Sequence, residues 1–320
     1  MKKSIIVKGL GLLLGITFMA PILGTSPSWA KELQIAVLLP TMDQPFMVQQ
    51  KYGYEITAQQ LGIKLTFYDA GSFNLNRQIQ QIEDATAKKF DAIIITAADR
   101  QGTATAIDDA VKAGVPVINV SAQSASQSII ARVRSDDLEI GRQAGEFLAK
   151  KLNYKGNVIM LAGKAGVGVI MDRAEGVKEV MKKYPGMKVL AERYTDMTRA
   201  LGMSTMEDSL QAYGKEIHAV YAGGEHLGMG AAKALEAAAR RDMAVCAVDF
   251  SKDLEQAIRD GWMQASIVQQ TIVLAGTGLR IAKDVAEGKK VPAVTFVPTI
   301  TINKENLDTI DRSGFQIPTK

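Results

Sequence analysis

The sequence predicts an α/β fold made of two doubly wound lobes, each with a parallel sheet covered by helices on both faces. Short apolar runs such as LQIAVLL (33–39) and AIIIT (92–96) alternate with longer segments of helical spacing. Apolar strands separated by helices are typical of parallel sheets that are buried on both sides. The alternation starts again after Arg134, and 320 residues are enough for about two domains.

In the first half of the chain, four apolar runs predict strands and three segments predict helices. Ile79, Ile82 and Thr86 share one helical face, while Gly62 and Gly114 stand where two of the helices end. The predicted strands span 33–39, 64–68, 92–96 and 115–120, and the predicted helices span 49–61, 75–90 and 102–113.

The second half repeats this alternation and ends in a different pattern. No linker rich in Ser and Gly separates the halves, which favours a chain that crosses between the lobes more than once. The predicted helices span 137–152, 171–183, 201–213, 227–240, 254–260 and 272–286, the strands span 157–161, 187–192, 218–222, 244–248 and 264–268, and an extended segment (TFVPTITI) spans 295–302.

The first thirty residues predict a secretory signal peptide. Lys2, Lys3 and Lys8 precede an apolar run that Pro21 ends, and Ser28-Trp29-Ala30 places small residues at a cleavage site. We expect cleavage after Ala30 and a soluble protein of the periplasm. The alternative is an uncleaved membrane anchor, which the short apolar run and the small-x-small site disfavour.

Composition and charge exclude several classes of function. Subtracting the three lysines of the signal peptide from 38 leaves 35 basic residues against 34 acidic residues, a net charge of +1. We therefore expect no nucleic-acid or membrane-surface partner. Cys246 is the only cysteine and there are two histidines, which predicts no disulfide, no metal site and no cofactor.

The motifs of common enzymes are absent. Gly163, Gly166 and Gly168 do not match the dinucleotide fingerprint, because Met171 stands at its third glycine position. The sequence has no phosphate-binding loop, no Gly-x-Ser-x-Gly and no His-Glu-x-x-His. His226 has no nucleophile motif beside it and is expected at a helix start. An exported two-lobed protein of this kind is predicted to bind a ligand rather than to catalyse a reaction.

An ordered set of short segments resembles the ribose-binding-protein-like (type I) periplasmic binding proteins, which bind the substrates of sugar ABC transporters. The resemblance covers essentially the whole chain after the predicted signal peptide. The segments are TMDQPFM (41–47), QIQQIED (78–84), FDAIII (90–95), AGVPV (113–117), DRAEG (172–176), VYAGGE (220–225) and VDF (248–250).

The resemblance implies a three-strand hinge and a mechanism. Crossings are expected near 134–136, 269–271 and 297–299, so that one lobe is 31–134 plus 271–297 and the other is 135–270 plus 298–320. A ligand would bind between the lobes at the carboxyl ends of the strands and be enclosed by hinge closure. The partner of this monomer would be the permease of an ABC importer. The alternative is a sensing subunit that docks on a membrane sensor kinase or chemoreceptor.

The resemblance also places ligand contacts in both lobes. In the first lobe, Phe46 matches an aromatic that stacks on a sugar ring, although packing within the lobe is an equal alternative. Gln44 stands where the family often has Asn, and Met47 replaces a second aromatic. In the second lobe, Met197 replaces another stacking aromatic.

Polar contacts of the second lobe follow from the same comparison. Arg173 matches an arginine whose planar fork binds hydroxyls or a carboxylate, with solvated helix surface as the alternative. Asp249 matches a ligand-binding aspartate, with helix N-capping as the alternative. Gln269 matches an amide beside a crossing and is equally compatible with a role in the hinge.

Departures from the family pattern affect the expected ligand. Ser121-Ala122 stands where an Asp-Arg pair is usual, and Gly224 replaces an Asn; Glu225, beside it, is expected to stabilise a helix N-terminus. With fewer charged groups for hydroxyls, a deoxy sugar, a polyol, a furanone-like signal or a small amine fits as well as a pentose or hexose. Because Arg173 and Asp249 offset each other, a neutral or zwitterionic ligand is favoured.

Overall fold

Two six-stranded sheets organise the part of the chain that the structure describes. The computed structural model describes Met1 and residues 32–318, so the predicted signal peptide and its cleavage site lie outside the described residues apart from Met1. The first sheet has the order β11-β5-β4-β3-β1-β2, with all neighbours parallel. Its strands are β1 (Gln34–Leu39), β2 (Lys64–Asp69), β3 (Ala92–Ile95), β4 (Val117–Val120), β5 (Ala131–Arg134) and β11 (Val294–Phe296).

The second sheet repeats this order. It runs β12-β10-β9-β8-β6-β7 and is parallel except for the antiparallel pair of β10 and β12. The predicted fold class, two doubly wound lobes, is confirmed. The strands are β6 (Gly156–Gly163), β7 (Met187–Tyr194), β8 (Ala219–Ala222), β9 (Ala244–Val248), β10 (Ala265–Gln269) and β12 (Thr299–Asn303).

Helices cover both faces of each sheet. On the first sheet, α1 (Pro45–Leu61) and α9 (Thr271–Ala286) pack on one face, and α2 (Leu75–Ala87) and α3 (Ala104–Lys112) pack on the other. The second sheet has α4 (Asp137–Lys151) and α5 (Gly168–Lys183) on one face. Its other face carries α6 (Arg199–Tyr213), α7 (Glu225–Ala237) and α8 (Lys252–Asp260). Each face thus has its own buried apolar cluster, as continuous apolar strands require.

Local sequence explains where several elements begin and end. Helix α1 starts four residues earlier than expected because Pro45 occupies its first turn, where a missing N–H is tolerated. It ends at Gly62, whose φ of 66° suits a residue without a side chain. Strand β5 was not predicted, because Arg132 and Arg134 interrupt the apolar pattern. No described helix is long and apolar enough to cross a membrane.

The chain passes between the sheets at three places. Strand β5 lies in the first sheet, and the next helix, α4, packs on the second sheet. Strand β10 lies in the second sheet, and the next helix, α9, packs on the first. The extended segment predicted over 295–302 is divided into β11 and β12, which also lie in different sheets. Pro298 stands between them, where the missing N–H removes a donor from any continuous ladder.

Candidate ligand-binding site

The predicted contacts lie at the carboxyl ends of strands in both sheets. Ser121 follows β4, Gly224 follows β8 and Asp249 follows β9, while Gln269 is the last residue of β10. Arg173 lies in the second turn of α5, which follows β6. Ligands of open α/β sheets bind at these ends, next to the point where the strand order reverses.

Arg173 is held by a buried ion pair with a residue that the sequence did not reveal. Its Nε donates to Asp137 Oδ1 at 2.9 Å, and the two side chains are 7% and 6% exposed. Its Nη1 donates to the Gly223 carbonyl at 3.2 Å. Burial opposes the charge of Arg173, but Asp137 and Asp249 raise the pKa of its guanidinium. Solvated helix surface, the alternative for this residue, is therefore wrong.

Two glycines bring α4 and α5 close enough to form this ion pair. A Cβ on Gly141 would lie 2.0 Å from the Arg173 carbonyl oxygen, and one on Gly176 would lie 2.1 Å from the Leu138 carbonyl oxygen. Real side chains do not approach a backbone atom so closely. The contact between the helices therefore depends on glycine at both positions.

Asp249 has a strained backbone and a defined set of partners. Its φ is 74°, in the left-handed region that non-glycine residues rarely adopt. Its Oδ1 accepts a hydrogen bond from Gln269 Nε2 at 2.9 Å, and its carbonyl accepts one from Ser266 Oγ at 2.6 Å. Ser251 is the N-cap of α8, which excludes the capping alternative for Asp249. Strain of this kind concentrates at functional sites.

Ser121 occupies the corresponding position in the first sheet. Its φ is 63°, and its Oγ accepts a hydrogen bond from the buried Gln50 Nε2 at 2.8 Å. Gln50 in turn accepts a hydrogen bond from Thr96 Oγ1 at 3.1 Å. The loop after Ser121 is fixed by Arg132, which donates to the Ser124 carbonyl at 3.0 Å. Gln50 was not predicted because its partners are distant in sequence, and Arg132 was not predicted because it lies in the unpredicted strand β5.

Met197 packs against the backbone at Gly224. A Cβ on Gly224 would lie 2.2 Å from Met197 Cε, so the thioether occupies the space of the side chain that is missing there. Glu225, at the first turn of α7, is paired with Arg199 Nη2 at 2.8 Å and accepts a hydrogen bond from Ser251 Oγ at 2.7 Å. Its expected structural role at the helix N-terminus agrees with these partners.

The three predicted residues near α1 differ in their surroundings. Gln44 is exposed at the N-cap position of α1. Phe46 is half-buried and packs against the apolar cluster of the first sheet, as the packing alternative predicts. Met47 is buried within that cluster and 6% exposed, which differs from the expected adaptable ligand-facing surface. Ligand contact by these residues stays a prediction.

Arg100 lies where the two lobes approach each other. It follows β3 of the first sheet and is exposed, and its Nη1 would be 2.8 Å from a Cβ on Gly168 at the start of α5. No motif or resemblance in the sequence indicates it, although it lies in a loop at a strand's carboxyl end. Over residues 32–318, no group of three or more His, Cys, Asp or Glu side chains could hold a metal ion.

Comparison with known proteins gives consistent matches. Residues 35–290 match the periplasmic binding protein domain family. The ribose import binding protein of Salmonella typhimurium is 30% identical over 259 residues, which are 81% of this chain and 86% of the relative. The xylitol-binding protein of Mycolicibacterium smegmatis is 27% identical over 265 residues, 82% of this chain and 75% of the relative.

Solved structures show the same architecture. An ABC transporter solute-binding protein from Actinobacillus succinogenes with bound D-allose has a TM-score of 0.82 and 25% identity, covering 87% of this chain and all of that one (100%). One from Bacillus halodurans with bound myo-inositol has a TM-score of 0.79 and 26% identity, covering 87% of this chain and 96% of that one.

Proposed function

Because the chain belongs to the periplasmic binding protein family, we propose that it captures a sugar or polyol between its lobes and delivers it to an ABC importer. The family consists of solute-binding proteins without enzymatic activity. The relatives and solved structures described above are named for the binding or import of sugars and polyols, which favours an importer partner over the sensing subunit considered as the alternative.

The polar groups at the strand ends carry this proposal. Hydroxyl-rich ligands need donors and acceptors that are already oriented. The Asp249 carboxylate is oriented by a hydrogen bond from Gln269, and it acts on the pKa of Arg173 in the same lobe. We propose that the ligand contacts come from the predicted set, namely Gln44, Phe46, Met47, Ser121, Arg173, Met197, Gly224, Asp249 and Gln269.

The charges favour a neutral or zwitterionic ligand. The sequence suggested that Arg173 and Asp249 offset each other, but Arg173 instead forms a direct ion pair with Asp137, which leaves the carboxylate of Asp249 available to a ligand. No described residue forms an ion pair with Asp249, whose one observed side-chain partner is an amide. A carboxylate in this setting binds hydroxyl donors or an amine, and it repels an anionic ligand.

The remaining features of the proposal follow from family membership and sequence. The protein is exported to the periplasm, and we propose cleavage after Ala30 and a monomeric mature chain. We propose lobe limits of 31–134 plus 271–297 and 135–270 plus 298–320. Closure about the connecting segments would enclose the ligand.

A thermal-shift panel tests the function. D-ribose, xylitol, D-apiose, D-allose and myo-inositol would be compared with the anion D-gluconate. Because binding only to the folded state stabilises it, a ligand at 100 times its Kd adds about 2.7 kcal/mol to the free energy of unfolding. We expect at least one neutral compound to raise Tm and D-gluconate to leave it unchanged. If no neutral sugar or polyol shifts Tm, the proposal fails, and a shift with D-gluconate alone refutes the neutral ligand.

A further inference from the structure

The segment that follows β12, residues 304–316, is anchored to the second lobe although it contains no helix or strand. Phe315 is fully buried in the apolar cluster that α6, α7 and α8 form with the second sheet. Its ring packs edge-on against Phe250, with centroids 5.1 Å apart. Arg312 donates to both carboxylate oxygens of Glu255 in α8, at 2.8 Å and 3.3 Å. Because a buried aromatic ring and an ion pair hold it, this segment must move with the second lobe.

Gly314, between these two anchors, contacts a helix of the first lobe. Its carbonyl oxygen accepts a hydrogen bond from the N–H of Ile272, in the first turn of α9, at 2.8 Å. The first N–H groups of a helix have no partner within the helix and need one from outside. Gln270, the N-cap residue of α9, makes no side-chain capping bond. The carbonyl of Gly314 therefore supplies a cap from the second lobe to a helix that packs on the first sheet.

The first turn of α9 is fixed within the first lobe. Thr271 Oγ1 donates to Gln49 Oε1 of α1 at 2.8 Å. The two helices also approach closely here, since a Cβ on Gly53 of α1 would lie 2.7 Å from the Ile272 carbonyl oxygen. Both helices bury their apolar residues against the first sheet. The donor of the bond to Gly314 therefore belongs to the first lobe, and its acceptor belongs to the second.

The same contact lies beside two of the three crossings. Gln270 stands at the crossing between β10 and α9, and Pro298 stands at the crossing between β11 and β12. The side chain of Gln270 joins them, since its Nε2 donates to the Pro298 carbonyl at 2.9 Å. A Cβ on Gly314 would lie 2.5 Å from Gln270 Oε1 and 3.1 Å from Val273 Cγ2. Gly314 therefore fits closely against the segments about which the lobes would rotate, and a larger side chain has no room there.

We propose that residues 311–316 form a tie between the lobes, which restricts the angles that the lobes sample in the ligand-free protein. Rotation about the crossings must break the bond between Gly314 and Ile272, or else pull Phe315 out of its apolar surroundings. The tie thus favours the arrangement in which Arg100 of the first lobe lies beside Gly168 of the second. With fewer alternative arrangements, a larger fraction of molecules is ready to bind a ligand. The tie itself does not depend on the proposed function.

Double electron–electron resonance between two spin labels tests the tie without a ligand. Thr105→Cys in α3 and Ser204→Cys in α6 place one label on an exposed residue of each lobe, and the buried Cys246 stays unlabelled. Gly314→Val adds a side chain that must separate the tie from α9, whereas Ser313→Val adds the same side chain at an exposed neighbour. We expect a broader distance distribution for Gly314→Val and an unchanged one for Ser313→Val, relative to the doubly labelled parent.

Gly314→Val should also weaken the binding of D-ribose or xylitol by about 3- to 10-fold, because a smaller fraction of molecules has the competent arrangement. A distance distribution for Gly314→Val that matches the one for Ser313→Val overturns the proposal even if Tm falls, since a purely structural contact would lower Tm alone. If Gly314→Val does not fold, Phe315→Leu, which loosens the anchor in the second lobe, is judged by the same comparison. Failure of the whole neutral panel on wild type would refute the proposed function instead, while the distance measurement still decides whether the tie exists.

Discussion

Replacing Gly141 with alanine should separate α4 from α5 and weaken both stability and binding. Gly141 faces the backbone of α5 at Arg173, where an added Cβ would lie 2.0 Å from the carbonyl oxygen. Contacts below 3.0 Å do not occur for real Cβ atoms, so the helices must move apart by about 1 Å. The hydrogen bond of 2.9 Å between Arg173 and Asp137 would then lengthen beyond the usual limit.

The magnitude follows from two opposing effects. Overpacking of a core costs about 1–3 kcal/mol, and the loss of a buried charge-assisted hydrogen bond adds roughly 1.5–3 kcal/mol. Alanine in a helix interior recovers about 1 kcal/mol relative to glycine. We therefore expect a net loss of about 1.5–5 kcal/mol, which corresponds to a Tm lower by roughly 3–20 °C at the 2–4 °C per kcal/mol of a domain of 150–250 residues.

Gly145→Ala in the same helix is the matched control. A Cβ at Gly145 would meet the Val180 side chain, with its nearest atom at 2.9 Å, rather than backbone. Val180 Cβ is fixed to its backbone, but the helices need to yield there by only about 0.1 Å, so the gain in helix propensity should offset most of the cost. Thermal unfolding of both variants gives the stability difference, and calorimetric titration with the panel compound that binds wild type gives the affinity. Equal Tm values for Gly141→Ala and Gly145→Ala would refute the reasoning.

Three further predictions concern the site and the core. Asp249→Asn keeps a residue that tolerates positive φ but removes the carboxylate. It should weaken ligand binding by about 2 kcal/mol in a calorimetric titration, and unchanged affinity would remove Asp249 from the site. Gly224→Ala should change Tm little, because its Cβ would meet only Met197 Cε, the flexible end of a thioether that can turn aside. A loss of Tm as large as that of Gly141→Ala would contradict this. Burial raises the pKa of the Cys246 thiol, so the reactive thiolate is scarce in the folded protein at pH 8. A disulfide reagent should therefore label Cys246 only after denaturant is added, and rapid labelling of the native protein would contradict this.

Apolar patterning was sufficient to predict most of the fold. Continuous runs such as AIIIT and the Gly-terminated helices are local features, and local features can be read from one sequence. Strand β5 was not predicted because its sequence ARVR has only two apolar residues, and these are buried by tertiary packing against the cluster that includes α9. The division of 295–302 between two sheets depends on tertiary pairing on each side of Pro298.

The site was only partly predictable for the same reason. The resemblance indicated Arg173 and Asp249, but the partner of Arg173 depends on how α4 and α5 pack. Asp136 and Asp137 are adjacent and chemically identical, yet the first caps α4 by accepting from Glu139 N–H at 3.1 Å and the second is buried against Arg173. Gln50 contacts Ser121 across 71 positions of sequence, a pairing that no local pattern reveals.

The equivalence of the two lobes explains why strain persists at two strand ends. Strands β4 and β9 occupy the same place in their sheets, and each is followed by a non-glycine residue with positive φ, Ser121 and Asp249. In each case the backbone N–H donates at 2.9 Å to the next strand, at Val133 or Ile267. The sheet therefore holds the strained backbone in both lobes independently of which side chain is present. The side chain at either position can therefore change in evolution without a change in the loop. We expect the hydroxyl of Ser121 and the carboxylate of Asp249 to determine which polar groups of a ligand face each lobe.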